Sequence, residues 1–289
     1  MFAQKILAGL GLTIAILVTP TVISAQSVIT DVEAVRILDI AGRQRMLSER
    51  VVKSACLSVA KINFSANFDD LRVAFDEFKT AHYGILNGSE TLGIQASTYE
   101  DVNDALSVVS QDLTAFGPYV EGMMNSGAIS AVDLNKLNEA GLTVLASMTT
   151  TTDTIARVYG ENLDSLSVGE TLTLNIAGRQ RMLSQKLVKE MCLMHVNGTA
   201  SLSVRNTITL FDASLSALVS GFPGAGIIAP PNQEVADHLA EAKAIWANLK
   251  PIADLTADGN IPDADSLYMF SIAMEAALRT MSEAIDAYN

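Results

Sequence analysis

The chain has 289 residues, which is enough for two domains that each bury a core of their own. Hydrophobic residues make up 49% of the chain and aromatic residues only 6%, with alanine, leucine and methionine prominent, and this composition favours helix over sheet. The net charge of −13 argues against nucleic acid and against an anionic membrane surface as partners.

Residues 1–25 have the pattern of a signal peptide. Lys5 gives a short positive region, residues 6–18 are apolar but too few to cross a bilayer comfortably, and residues 22–25 suit cleavage. The pattern predicts export, with a mature chain that begins near Gln26 and lies in the periplasm or outside the cell. An uncleaved N-terminal anchor is the alternative. No later segment has roughly 18 uninterrupted apolar residues, so no membrane span is expected after the signal is removed.

Apolar residues recur with helical spacing over most of the remaining chain. Pro118 falls inside the third predicted helix, where a proline is expected to kink or break it. Residues 164–169 form a short junction with Gly169 as the expected hinge, and the glycine-rich loop at 221–226 is not a nucleotide fingerprint because no strand precedes it. No stretch alternates as a strand does, so the sequence predicts an all-α fold of two tandem up-and-down four-helix bundles. The predicted helices span residues 31–62, 67–86, 99–124, 131–159, 171–196, 200–219, 233–255 and 263–288.

A stretch of nine residues occurs twice in the chain. Ile40 to Ser48 reads Ile-Ala-Gly-Arg-Gln-Arg-Met-Leu-Ser, and the same residues recur 136 positions later, from Ile176 to Ser184. The same spacing continues beyond the motif, since Lys53 matches Lys189 and Cys56 matches Cys192. This indicates internal duplication, with a first bundle at residues 26–163 and a second at 164–289. Because the repeat retains its charged residues, we expect function where the two copies meet.

The two arginines of each motif face different ways on a helix. Arg43 and Arg179 lie on the side opposite the small apolar face and are expected to be solvated or bridged to surface carboxylates. Arg45 and Arg181 point into that face. A guanidinium keeps its proton, so its burial requires something anionic nearby.

Two sources of that negative charge remain open. The first is protein: Glu49, one turn after Arg45, or a distant aspartate, although the residue that matches Glu49 in the second copy is the neutral Gln185. The second is a ligand. If Arg45 and Arg181 face each other across a pseudo-two-fold axis, a small planar oxyanion between them would relieve their repulsion.

The run Ala-Gly-Arg-Gln-Arg-Met-Leu-Ser followed by Glu or Gln, early in the first helix of an exported helical bundle, resembles the signature of the PilJ/NarX-type sensor-domain family. The resemblance implies extracytoplasmic four-helix domains of type IV pilus chemotaxis transducers and of nitrate/nitrite sensor kinases, which dimerise through the first helix and bind nitrate or nitrite at the interface. By motif, the ligand arginine corresponds to Arg45 and Arg181. The full set of expected ligand-binding residues is Gly42, Arg45, Ser48, Gly178, Arg181, Ser184 and Gln185.

The predicted function is therefore an exported sensor-type protein that binds one small oxyanion, such as nitrate or nitrite, and presents it to a membrane receptor. The alternative is a non-binding interaction or scaffold protein that keeps the bundle. Glu49 is expected to compete with the anion at Arg45, whereas Gln185 can donate a hydrogen bond to it. No enzyme activity or cofactor is expected, for want of an acid–base or nucleophile pair.

Neither histidines nor cysteines are expected to bind metal. His82, His195 and His238 lack metal-ligand spacing. Each cysteine lies eleven residues after its arginine, about three helical turns on and nearly in line with it. If the arginines face each other, so do Cys56 and Cys192, and a disulfide is predicted in the oxidising compartment; two reduced buried thiols are the alternative.

Overall fold

The computed structural model describes residues 30–162 and 167–287. The predicted signal peptide and the predicted domain boundary between residues 163 and 164 lie outside the described residues. Within them the all-α prediction is confirmed, because the only β pairing is two isolated bridges. None of these helices has a stretch apolar enough to span a bilayer. The helices are α1 Asp31–Val59, α2 Phe64–Asn87, α3 Glu100–Ser126, α4 Ala131–Asn162, α5 Val168–Asn197, α6 Leu202–Ser220, α7 Gln233–Ala257 and α8 Ala264–Asp286.

The eight helices form two bundles that share an extensive interface. Within α1 to α4 each helix packs on its neighbours in the chain and α1 closes the ring against α4, and α5 to α8 repeat this arrangement. The bundles meet where α1 packs against α5. One hydrophobic core runs through this interface and includes residues of both repeats, whereas a smaller core around Ile37 and Tyr159 belongs to the first repeat.

The two repeats match helix by helix. The offset is 136 residues between α1 and α5, and it falls to 133 afterwards, as Pro118 of α3 and Pro251 of α7 indicate. The loops after α2 and α6 are built alike, with bridges between Ser89 and Ile94 and between Phe222 and Ile227. These offsets identify corresponding positions in the two copies.

Two positions at which the sequence predicts helix interruption, Pro118 and Gly169, both lie inside a continuous helix. Pro118 does not break α3, because it lies on the exposed face, where water can take the place of the hydrogen bond that proline cannot donate. Gly169 is not a hinge but lies inside the first turn of α5. That helix begins at Val168 because Ser167 and Glu170 form a capping box. The first helix ends at Val59, before Lys61 and Asn63 turn the chain with positive φ angles of 59° and 42°.

Candidate functional site between the two repeats

The helices α1 and α5 come closest at the glycines of the repeated motif. A Cβ atom placed on Gly178 would lie 3.4 Å from the Cα of Gly42, and one placed on Gly42 would lie 3.6 Å from the Cα of Gly178. Two such side chains would compete for the same space between the backbones. The glycines therefore permit the close crossing of the two helices.

Arg45 and Arg181 converge on this crossing. Both are buried, with 0% and 4% of their surface exposed. The Nη2 atom of each lies within 3.8 Å of both positions that the glycine Cβ atoms would occupy. The structure thus brings together the two arginines and the two glycines that the motif singled out.

Arg181 is neutralised by a carboxylate from the other repeat. Its Nη2 atom donates a hydrogen bond to Oδ1 of Asp39 at 2.7 Å, and the backbone carbonyl of Asp39 lies 3.4 Å from the same nitrogen. Asp39 precedes the first motif on α1. The second arginine therefore already has an anionic partner within the protein.

Arg45 makes the corresponding contact, but its partner is uncharged. Its Nη2 atom donates to the backbone carbonyl of Asn175 at 3.0 Å. Asn175 is the residue that matches Asp39 at the offset of 136, and its side chain is an amide. Among the described residues, Nε and Nη1 of Arg45 have no hydrogen-bond partner and the guanidinium has no ion pair. Arg45 is a buried cation that these residues leave uncompensated.

The electrostatics of the site reflect this imbalance. Burial lowers the pKa of Arg45 to about 9, and repulsion from Arg179 and Arg181 adds to the effect while Asp153 opposes it. Asp153 accepts a hydrogen bond from Nδ2 of Asn175 at 2.7 Å and lies 3.7 Å from Arg179, so its charge is shared. Because arginine keeps its proton in proteins, the lowered pKa expresses how unfavourable the buried charge is.

Glu49 does not compensate Arg45, so the expectation that it competes with a ligand there is wrong. Its Oε2 atom lies 2.7 Å from Nζ of Lys189 across the interface, in an ion pair whose angles are not those of a hydrogen bond. Both side chains are buried, with 2% and 3% exposed. The partner on the facing helix is preferred to the one on the same helix because the α1–α5 register places it closer.

Gln185 is not brought to the arginines either. Its Nε2 atom donates to Oε1 of Glu275 at 3.1 Å, and Nζ of Lys53 lies 2.5 Å from the same oxygen. Gln185 is neutral, whereas the matching residue Glu49 is charged. Glu275 of α8 therefore supplies the carboxylate that pairs with Lys53. The expected hydrogen bond from Gln185 to a ligand therefore has no support in the geometry.

The motif serines bond within their own helices. The Ser48 hydroxyl donates to the carbonyl of Arg45 at 2.9 Å, and the Ser184 hydroxyl donates to the carbonyl of Arg181 at 2.7 Å. Their donor hydrogens are thus already used. Both serines are buried, but they do not supply donors to an anion.

A disulfide joins the two central helices. Cys56 and Cys192 are bonded, with their Cα atoms 6.1 Å apart, and neither residue is exposed. The bond ties α1 to α5 about three helical turns beyond the arginines. It fixes within one chain the helix pair that forms the site.

The remaining predicted side chains have ordinary structural roles. Arg43 is exposed and bridges Glu77 at 3.0 Å, as its place on the helix predicts. His82 is buried against the Ser110 hydroxyl at 2.7 Å, and burial lowers its pKa to about 4. Trp246 packs against Phe211 in the core that both repeats share, with ring centroids 4.6 Å apart. Among the described residues no three histidine, cysteine or acidic side chains gather as a metal site would.

Sequence reasoning missed Asp39 and Asn175, the two residues that decide the charge of the site. The signal was present, because they occupy matching positions six residues before each arginine and differ in charge. Periodicity alone does not show which residue of the facing helix each guanidinium reaches. That depends on the register of α1 against α5.

Comparison with known families supports the duplication. The model of the family described as "Type IV pili methyl-accepting chemotaxis transducer N-term" matches residues 34–137 and 167–268, once in each bundle. No curated protein matches the chain. The two matched stretches cover more than half of the chain and include both copies of the motif. The chain therefore belongs to the PilJ family of chemotaxis-transducer sensor domains and contains two tandem copies of that domain.

Proposed function

We propose that the protein is an extracytoplasmic sensor-type module that binds one small planar oxyanion, nitrate or nitrite, at Arg45 between its two repeats. The observation that carries the proposal is the state of Arg45. Its guanidinium is fully buried and two of its nitrogens have no partner among the described residues. Burying an uncompensated charge costs several kcal/mol, so an anion that reaches Arg45 recovers much of that cost.

Charge and shape support a monovalent, flat ligand. Arg45, Arg181 and Asp39 together carry one net positive charge, which a single negative charge neutralises and a sulfate dianion would overcompensate. The guanidinium is planar and presents its donors in a fixed fork that suits the oxygens of a planar oxyanion. Gly42 and Gly178 have no side chains, so the two guanidinium groups can approach the helix crossing closely.

The tandem arrangement supports a stoichiometry of one anion per chain. The resemblance implies a site between two identical chains, whereas here the disulfide between Cys56 and Cys192 holds both halves of the site in one chain. Because Asp39 already neutralises Arg181, only the Arg45 side requires a ligand charge. We propose that the loaded protein then presents the anion to a membrane receptor.

Calorimetric titration of the exported protein with nitrate, nitrite, chloride and sulfate tests the proposal. We expect one site per chain for nitrate or nitrite and weaker binding of sulfate. Arg45→Ala should abolish binding. The matched control is Arg43→Ala, which removes an exposed arginine of the same motif and should bind normally. If the unaltered protein binds none of the four anions, the scaffold alternative is the better account.

A further inference from the structure

A cleft with a volume of about 390 Å³ lies between α4, α5 and the beginning of α6. Its walls include Asn138 and Leu142 from α4, Lys186 and Glu190 from α5, and Ser203 from α6. None of these residues belongs to the arginine site. The cleft is large enough for a small organic molecule rather than for water alone.

Two buried acceptor atoms in the cleft walls have no hydrogen-bond partner among the described residues. They are Oε2 of Glu190 and Oδ1 of Asn138. Only 5% of Glu190 is exposed. Nζ of Lys186 lies 4.0 Å from the other oxygen of Glu190, Oε1. Lys189 forms its ion pair with Glu49, at 2.7 Å, rather than with Glu190. Thr207 donates a hydrogen bond to the Glu190 carboxyl group, so the acceptors that lack donors are one oxygen of Glu190 and the amide oxygen of Asn138.

The corresponding place beside α1, between α2 and α8, is filled by side chains of the protein. There Asp70 of α2 accepts hydrogen bonds from Nε of Arg50 at 2.9 Å and from the Ser54 hydroxyl at 2.5 Å. Glu275 of α8 accepts from Lys53 at 2.5 Å. Two carboxylates brought in by neighbouring helices thus satisfy the donors of α1 and occupy the space between the helices.

The cleft beside α5 has neither of those carboxylates. At the offsets that relate the repeats, Ser203 takes the place of Asp70, and Leu142 takes the place of Glu275. A carboxylate is present on α5 instead, because Glu190 stands at the position that matches Ser54 of α1. The place that ion pairs close beside α1 is therefore an open cleft beside α5, where one carboxylate oxygen has no partner among the described residues.

We propose that this cleft binds a small organic ammonium ion, whose N–H groups donate to Glu190 and Asn138 while its alkyl part packs on Leu142. A primary ammonium has three donors and can satisfy both acceptors at once. Leu142 is 47% exposed and offers the apolar surface that an alkyl chain would cover. The chain's net charge of −13 favours the approach of a cation.

A bound cation would change the ionisation of Glu190. Burial raises the pKa of its carboxyl group, in spite of a hydrogen bond from Thr207 and the nearby Lys186 and Lys189, while Glu49 adds repulsion. A bound ammonium would favour the ionised form. This ligand is opposite in charge to the anion proposed for Arg45, so the two sites are independent.

The test is a calorimetric titration of the exported protein with n-butylammonium, with butyrate and n-butanol as anionic and neutral probes of the same length. We expect saturable binding of the ammonium at one site and binding at least about tenfold weaker for the other two, since a charged hydrogen bond is lost. Glu190→Gln, which keeps the shape of the side chain, should weaken ammonium binding at least about tenfold. The control Glu139→Gln removes an exposed acid beside Asn138 and should leave affinity unchanged.

Two outcomes would overturn the proposal. Absence of saturable heat with n-butylammonium would mean that water alone completes the two acceptors, and unaltered affinity in a folded Glu190→Gln protein would place the ligand elsewhere. Asn138→Ala gives a second variant should Glu190→Gln fail to fold. Arg45→Ala should keep ammonium binding, so failure here and failure of the anion proposal are distinguishable.

Discussion

The two copies of the motif are identical in sequence but unequal in charge. Arg181 reaches Asp39, a carboxylate, whereas Arg45 reaches the backbone of Asn175, an amide residue. In a homodimer both halves of a two-fold site must use the same residues. Duplication within one chain removes that constraint, so here one half is neutralised by the protein and the other has no carboxylate partner among the described residues. A single position, 39 in one copy and 175 in the other, decides which half is which.

The largest expected effect concerns the buried pair between Glu49 and Lys189. Glu49→Gln gives the first copy the residue of the second, but it leaves Lys189 as an unpaired buried cation, because Leu142 stands where the other repeat has Glu275. We expect the free energy of unfolding to fall by about 3 kcal/mol or more in denaturant titrations.

A second substitution sharpens that comparison. Adding Leu142→Glu to Glu49→Gln restores a carboxylate in the position of Glu275 and should recover part of the lost stability. Glu139→Gln, a change to an exposed acid on the same helix, is the control and should be nearly neutral. A Glu49→Gln protein as stable as the unaltered one would show that Lys189 does not need its partner.

Asn175→Asp should abolish the difference between the two arginines. It offers Arg45 the same carboxylate that Arg181 has, so the protein supplies its own counter-charge. We expect nitrate affinity to fall by roughly 30- to 100-fold, which corresponds to about 2–3 kcal/mol for a charged hydrogen bond. Calorimetry measures the affinity, and an unchanged value would remove Arg45 from the binding site.

Asp39→Asn makes the opposite change and should leave both arginines without a carboxylate. Because the Asp39 side chain is 27% exposed, we expect a loss of only about 1–2 kcal/mol in the free energy of unfolding. Nitrate should then raise the melting temperature more than it does in the unaltered protein. Asp101→Asn breaks an exposed pair with Arg157 and serves as the control. Equal nitrate effects in all three proteins would contradict the account.

The smallest expected effect concerns His82, whose place in the second repeat is taken by Leu215 at the offset of 133. Burial lowers the pKa of His82 from 6.5 to about 4, so the unfolded chain binds a proton between these values and the folded chain does not. Stability is therefore lost as pH falls below about 6.5. Relative to His82→Leu, the protein should lose about 1 kcal/mol between about pH 7 and 5.5. Parallel pH profiles of the two proteins would count against a neutral buried histidine.

Helix positions and the facing of the arginines can be predicted from the sequence, because both follow from local periodicity. Apolar stripes at helical spacing place all eight helices, and the same spacing puts Arg45 and Arg181 on the buried face. Repetition of the motif also predicts that α1 and α5 meet, and their packing confirms it. The export signal and the domain boundaries stay predictions.

The partners of the buried charges cannot be predicted in the same way. Glu49 is one turn from Arg45 and therefore its nearest candidate in sequence, yet its partner is Lys189 on the facing helix. Asp39 and Glu275 likewise act across helix interfaces. Such pairings depend on the register between helices, and a one-residue slip would change every partner while leaving the periodicity intact. The expected break at Pro118 does not occur for a related reason, since the effect of a proline depends on whether the freed carbonyl faces water.

The central claim is that Arg45 lacks a counter-charge that a ligand supplies, and a crystal structure of the protein in complex with nitrate tests it most directly. We expect a flat trigonal ion with an oxygen within about 3 Å of Nε or Nη1 of Arg45, and Asp39 still bonded to Arg181. Ordered water alone at Arg45 in nitrate-saturated crystals, or a protein carboxylate moved onto its guanidinium, would contradict the claim.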